Sequence, residues 1–219
     1  MGTFHIFSAL PTLCCKVDIN RVRRGDFVLK NRKGQTVGNI GQGTWRFGEN
    51  QRNMDTEVNS LKAGIAAGMN LIDTAEMYGD GGAELVIGRS IQDEARENIY
   101  LVSKIYPHNA NKNDYLSACE GSLERLETDY LDLYLLHWRG LTPLSEVVDC
   151  MEDLRQRGLI LNWGVSNFDI SDMKELFAVK NGNNCIVNQV LYHLGSRGIE
   201  YSLLPWLQKR KVLTMAYCP

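Results

Sequence analysis

Short apolar runs recur along the chain at 69–73 (MNLID), 99–104 (IYLVSK), 131–137 (LDLYLLH), 159–165 (LILNWGV), 185–190 (CIVNQV) and 211–217 (KVLTMAY). Between them the spacing of apolar residues becomes helical. Leu116, Cys119, Leu123 and Leu126 share one face, as do Leu144, Val147, Met151 and Leu154, and Gly158 is placed to end the second helix. Strand then helix, repeated, is the pattern of a parallel sheet with helical crossovers. The strands are apolar at nearly every position, as expected when both sheet faces are covered. Upstream, DFVLKNRKGQTVGNIGQGTW predicts a turn at 31–34 between two extended pieces, then a first strand near 38–41.

An α/β chain of this pattern is either an open sheet or a barrel. An open dinucleotide-binding sheet calls for G-x-G-x-x-G after its first strand, and the nearest stretches, GNIGQGTW and YGDGGAE, break that spacing. The barrel is favoured. Barrel chemistry sits at the C-terminal ends of the strands, which here are closed by Asp73, Lys104, His137, Ser166 with Asn167, Gln189 and Tyr217. Taken singly, a lysine ending a strand reaches solvent and an aspartate caps a turn. Successive strands delivering polar groups to one rim weaken that reading.

The set narrows the chemistry. GVSNF misses the last glycine of a serine elbow. Paired carboxylates for glycoside cleavage are lacking, because Asp73 alone ends a strand with an acid and Glu76 lies in the loop beyond. What remains is an acid, a cation, a histidine and Tyr78. A free tyrosine is a weak acid, but an ammonium held in place by an aspartate favours its phenolate. Asp73, Lys104 and Tyr78 suit proton donation to a developing alkoxide, with His137 orienting the same oxygen. Such chemistry is carbonyl reduction.

Composition agrees. A net charge of -2 leaves no broad basic field, so neither nucleic acid nor a membrane is the expected partner. The six cysteines form no C-x-x-C pair and there is no His-x-x-x-His spacing, so no metal site is expected and a reducing, cytoplasmic location fits. Residues 1–25 lack a basic leader and read as a poorly ordered extension ahead of a barrel over 26–219.

LIDTAEMYG, SLERLETDYLDLYLLHW, WGVSNF and NQVLYHLGSRGIEY, in that order and spacing, resemble the signatures of the aldo-keto reductase family. The resemblance implies a (β/α)8 TIM barrel, a small carbonyl substrate, NADP(H) as cofactor and a catalytic tetrad of Asp73, Tyr78, Lys104 and His137. It implies carboxamide contacts from Ser166, Asn167 and Gln189, and ring stacking on Tyr217. It also implies cofactor contacts from Thr44, Trp45, Asp73, Cys218 and Pro219. Trp45, Met77 and Trp138 would wall the substrate pocket. His193 and Cys218 depart from the residues commonest in the family at their positions, where asparagine and serine are frequent, and Leu159 replaces a frequent lysine.

On that pattern the run at 211–217 is the seventh strand of eight. The barrel is expected to be incomplete, lacking the last helix-strand-helix segment, with unpaired edges on its first and seventh strands. A chain so built is expected to be marginally stable and to bind cofactor weakly. The alternative to a reductase is then an inactive or regulatory barrel that binds cofactor or a partner without significant turnover.

Overall fold

The computed structural model describes residues 14–17 as backbone and residues 28–219 in full. The strands are β1 (Cys14–Val17), β2 (Ile40–Gly43), β3 (Leu71–Asp73), β4 (Tyr100–Ile105), β5 (Leu131–Leu136), β6 (Ile160–Ser166), β7 (Val187–Leu191) and β8 (Leu213–Tyr217). From β2 to β8 each strand pairs in parallel with the next, which gives the seven-stranded, incomplete (β/α)8 barrel expected. The helices are α1 (Met54–Ala66), α2 (Gly82–Ile91), α3 (Tyr115–Leu126), α4 (Leu144–Gln156), α5 (Ile170–Ala178) and α6 (Leu203–Arg210).

The expectation of two unpaired edges needs correction. β1 lies antiparallel to both β2 and β8, with Lys16 opposite Ile40 on one side and Ala216 on the other, and closes the sheet. A free strand edge exposes a row of unsatisfied backbone groups. Here a short stretch from the segment read as an extension occupies both edges. The rest of the expected extension, up to residue 25, lies outside the described residues.

Two packed layers follow from the alternation of side chains along each strand. Leu71, Tyr100, Val102, Leu133, Leu135, Val187 and Met215 point inward and fill the barrel. Their neighbours Ile72, Leu101, Tyr134, Leu136, Trp163 and Val165 point outward and meet the helices. The helical faces read from the sequence are the ones buried: Cys119, Leu123 and Leu126 on α3, and Leu144, Val147, Met151 and Leu154 on α4. Gly158 adopts φ 77, the left-handed conformation that ends a helix with no penalty for glycine. The predicted turn at 31–34 is also present, closed by Gly34 N–H donating to the Asn31 carbonyl at 2.8 Å. Leu29 and Val37, on its two arms, pack against the inner layer and cover the N-terminal end of the barrel.

Candidate active site

The same alternation carries the polar residues to one rim. On β3 the inward positions run Leu71 then Asp73; on β4 Tyr100, Val102, then Lys104; on β5 Leu133, Leu135, and next in phase His137. Gln189 follows Val187 on β7, and Tyr217 follows Met215 on β8. The barrel interior is filled below, so these side chains sit at its C-terminal mouth.

Lys104, only 1% exposed, donates from Nζ to Asp73 Oδ2 at 2.8 Å, to the Thr74 carbonyl at 2.7 Å and to the Tyr78 hydroxyl at 3.3 Å. An ammonium has three hydrogens and all three have acceptors here. Its Nζ also lies 4.9 Å from the centroid of the Tyr78 ring. The Tyr78 and His137 rings meet edge to face at 5.8 Å. The structure therefore brings together the four residues singled out from the strand ends and the loop.

His137 is neutral. Burial, reinforced by the Lys104 cation, lowers its pKa to about 3. Its Nδ1 is buried without a partner among the described residues, so a proton there would strand an N–H; the tautomer carrying the proton on Nε2 is favoured. His137 thus offers a neutral N–H donor rather than a transferable charge. The same shift bears on stability. In the unfolded chain the imidazole takes up a proton near its ordinary value of 6.5, whereas the folded form resists it. This contribution is therefore complete above that value and is lost as pH falls toward the folded pKa. Between about pH 7 and about pH 5 the loss should reach about 2 kcal/mol. Urea unfolding at stepped pH is expected to show this slope in the parent and a flatter one in His137→Gln.

Beyond the tetrad, β6 to β8 supply an amide-rich wall. Ser166 Oγ donates to the Gln189 carbonyl at 2.9 Å and accepts from Asn167 Nδ2 at 3.1 Å. Asn167 adopts φ 59, donates from Nδ2 to the His137 carbonyl at 3.1 Å and accepts the Tyr217 hydroxyl on Oδ1 at 2.8 Å. Immediately behind it, a reciprocal cap between Asp169 and Asp172 starts α5 and fixes this turn. Burial raises the pKa of the Tyr217 phenol, which keeps it a neutral donor to Asn167. Cys218 is partly buried and left-handed at φ 51, and Pro219 is exposed.

Thr44 turns toward Asp73. Its N–H and its hydroxyl both donate to the Asp73 carbonyl, at 3.1 and 3.0 Å, so it braces the tetrad aspartate from β2. Trp45, Met77 and Trp138 stand partly exposed at 46%, 37% and 38%, as residues walling an open mouth would. Trp138 packs on His137 at 4.8 Å and on Tyr106 at 5.9 Å, and Tyr106 on His108 at 4.7 Å. Tyr106 and His108 extend this wall although the strand-end reading did not single them out. Their place in IYPHNA, directly after Lys104, was the available signal.

Other supports were also missed. Glu76 Oε1 accepts from Tyr106 N at 2.6 Å and from Asn109 Nδ2 at 3.1 Å, tying the Tyr78 loop to the segment that follows Lys104. Burial raises the pKa of this carboxyl. Gly48, at φ 72, packs backbone to backbone against Gly82; a Cβ there would lie 2.1 Å from the Gly82 carbonyl carbon. That close approach sets the loop after β2 against the turn bearing Tyr78. Glu84, 0% exposed, accepts from Ser103 Oγ at 2.6 Å and from Arg125 Nε at 2.8 Å, and so ties α2 to β4 and α3 beside Lys104.

A groove of about 780 Å³ lies at the other end of the barrel, beside Arg32, Arg96 and Tyr130. Arg96 there is held by Asp132, Thr128 and two backbone carbonyls. It offers no comparable convergence of reactive groups. Among the described residues no helix is long and apolar enough to cross a membrane.

The model of the aldo/keto reductase family matches residues 39–219. Methylglyoxal reductase YeaE of Escherichia coli (strain K12) is 57% identical over 180 residues, which span 82% of this chain and 63% of that protein. Aldo-keto reductase YhdN of Bacillus subtilis (strain 168) is 34% identical over 198 residues, spanning 84% of this chain and 59% of that protein. The chain therefore spans less than two thirds of the length of these curated relatives. Among solved structures, an aldo/keto reductase from Klebsiella pneumoniae in complex with NADP and acetate superposes with a TM-score of 0.84 at 52% identity, covering 89% of this chain and 68% of that one.

Proposed function

The chain belongs to the aldo/keto reductase family, and from that premise we propose that it reduces small aldehydes or ketones to alcohols with NADPH, using Tyr78 as the proton donor. Among substrates, short α-oxoaldehydes come first, because the relative with 57% identity is a methylglyoxal reductase. The observation that carries the reading is the Lys104 ammonium, buried and shared between Asp73 Oδ2 and the Tyr78 hydroxyl.

The chemistry divides simply. When bound, NADPH supplies a hydride to the carbonyl carbon. Tyr78 gives its phenolic proton to the carbonyl oxygen as negative charge develops there, and Lys104, donating to the same hydroxyl, stabilises the phenolate left behind. Asp73 keeps the ammonium charged and in place. Neutral His137 donates from Nε2 to the substrate oxygen and orients it. Trp45, Met77 and Trp138 shield the oxygen and limit the size of the group beyond it.

The residues present fit the nicotinamide end of this cofactor. A carboxamide needs an acceptor for its NH2, which Gln189 Oε1 offers, and donors for its oxygen; the Ser166 hydroxyl and the Asn167 amide, held in this structure by the Gln189 and His137 carbonyls, would turn to that oxygen on binding. Tyr217 beside them offers a ring face. The relative from Klebsiella pneumoniae crystallised with NADP is consistent with this choice.

The test is direct. Folded protein mixed with NADPH and methylglyoxal is expected to consume NADPH saturably, with one equivalent of alcohol formed for each NADPH oxidised. Tryptophan fluorescence should report saturable NADPH binding. Folded protein that binds NADPH yet consumes none with methylglyoxal or a panel of short aldehydes and ketones would overturn the catalytic reading.

A further inference from the structure

The two oxygens of Asp73 are held from different parts of the site. Oδ2 accepts from Lys104 Nζ at 2.8 Å, while Oδ1 accepts from Gln189 Nε2, also at 2.8 Å, across 116 positions of sequence. Gln189 is 2% exposed, and its amide nitrogen also touches the Met215 sulfur. Its backbone carbonyl is held twice, by Ser166 Oγ at 2.9 Å and by the Asn167 N–H at 2.8 Å. The direction of the side-chain amide is forced. Reversed, its oxygen would face a carboxylate oxygen with no hydrogen between them. Nε2 therefore points to Asp73, and Oε1 is the end left for a ligand.

Resting on the reduction reading above, we propose that Gln189 is a positioning residue for proton delivery: it fixes Asp73, and through it Lys104 and Tyr78, and so joins the cofactor wall to the proton donor. The bond is charge-assisted and dry, which makes its loss consequential. Without it, Asp73 Oδ1 is buried and unpaired, and the carboxylate gains by rotating to bring both oxygens onto Lys104. The ammonium then shifts away from its longest bond, the 3.3 Å contact with the Tyr78 hydroxyl. Misplacement of that kind slows the chemical step itself, in addition to any loss of cofactor affinity.

A double-mutant cycle in the full chain separates the two effects. Gln189→Met keeps the volume and removes the donor; Gln189→Asn, whose amide is too short to reach Asp73, serves where the methionine variant folds poorly. At saturating NADPH, Gln189→Met should lower kcat by up to about 100-fold in the parent. In an Asp73→Asn background the same change should lower kcat by about twofold or less. The NADPH Kd should rise by one common factor in both backgrounds. Equal kcat losses in the two backgrounds, or a change confined to Kd, would overturn the proposal. A parent that consumes no NADPH, or a Tyr78→Phe variant that keeps its turnover, would instead overturn the reduction reading and leave a distinct signature.

Discussion

Tyr78→Phe is expected to lower the rate of carbonyl reduction by about 10²- to 10⁴-fold, with NADPH affinity essentially unchanged. The substitution removes one oxygen atom. The ring keeps its edge-to-face packing on His137 and its place over the Lys104 ammonium, 4.9 Å from the centroid. Lys104 loses its 3.3 Å bond to the Tyr78 hydroxyl and keeps the shorter ones to Asp73 and Thr74. Ser166, Asn167, Gln189 and Tyr217, on β6 to β8, are untouched. Single-turnover mixing of the NADPH-loaded protein with methylglyoxal measures the chemical step, and tryptophan quenching measures binding. A variant whose single-turnover rate stays within about tenfold of the parent has another proton donor.

Much of this site was legible because one geometric rule produces both the core and the rim. Side chains alternate along a strand, so an apolar run such as YLVSK that fills the barrel with Tyr100 and Val102 must deliver Lys104 in the same direction one step later. The polar residue that closes each run is therefore informative, and the parallel strands β3 to β8 and the placement of Asp73, Lys104 and His137 follow from it, whereas Tyr78 lies in the loop after β3. Other features depend on barrel closure, which leaves no local pattern. The bond from Gln189 to Asp73 joins β7 to β3 and exists because the sheet curls back on itself. Thr44, directly after β2, depends instead on strand register: Gly43 pairs with Asp73, and the next N–H and hydroxyl both meet the Asp73 carbonyl. CCKV, only four positions long and without an alternating or continuous apolar pattern, gave no strand signal. Its pairing is a matter of backbone groups finding two edges, which side-chain pattern does not encode. Glu84 and Arg125 were also invisible, since a charged residue on a helix reads as solvent-facing until its partner on the next helix is known.

The second large effect concerns the stability of the ion pair at the centre of the site. Lys104→Met is expected to destabilise the fold by about 3–5 kcal/mol, a large share of the roughly 5–15 kcal/mol available to a domain. The side chains of Lys104 and Asp73 are 1% and 5% exposed, so removing the cation leaves a carboxylate out of water with Gln189 as its donor among the described residues. The Thr74 carbonyl loses its ammonium donor at the same time. Removing both charges behaves differently. Asp73→Leu with Lys104→Met replaces the pair by apolar side chains above the apolar barrel interior, and much of the lost stability should return, less the cost of the Thr74 carbonyl and the Gln189 amide left without these partners, because burying two charges consumes much of what their attraction supplies. Urea unfolding of the parent, the single and the double variant measures the three values. If the double variant is as unstable as the single, the pair itself holds the barrel together. If the double recovers while remaining unable to reduce methylglyoxal, the fold gains little from this pair, and its placement is accounted for by the proton it helps Tyr78 to give.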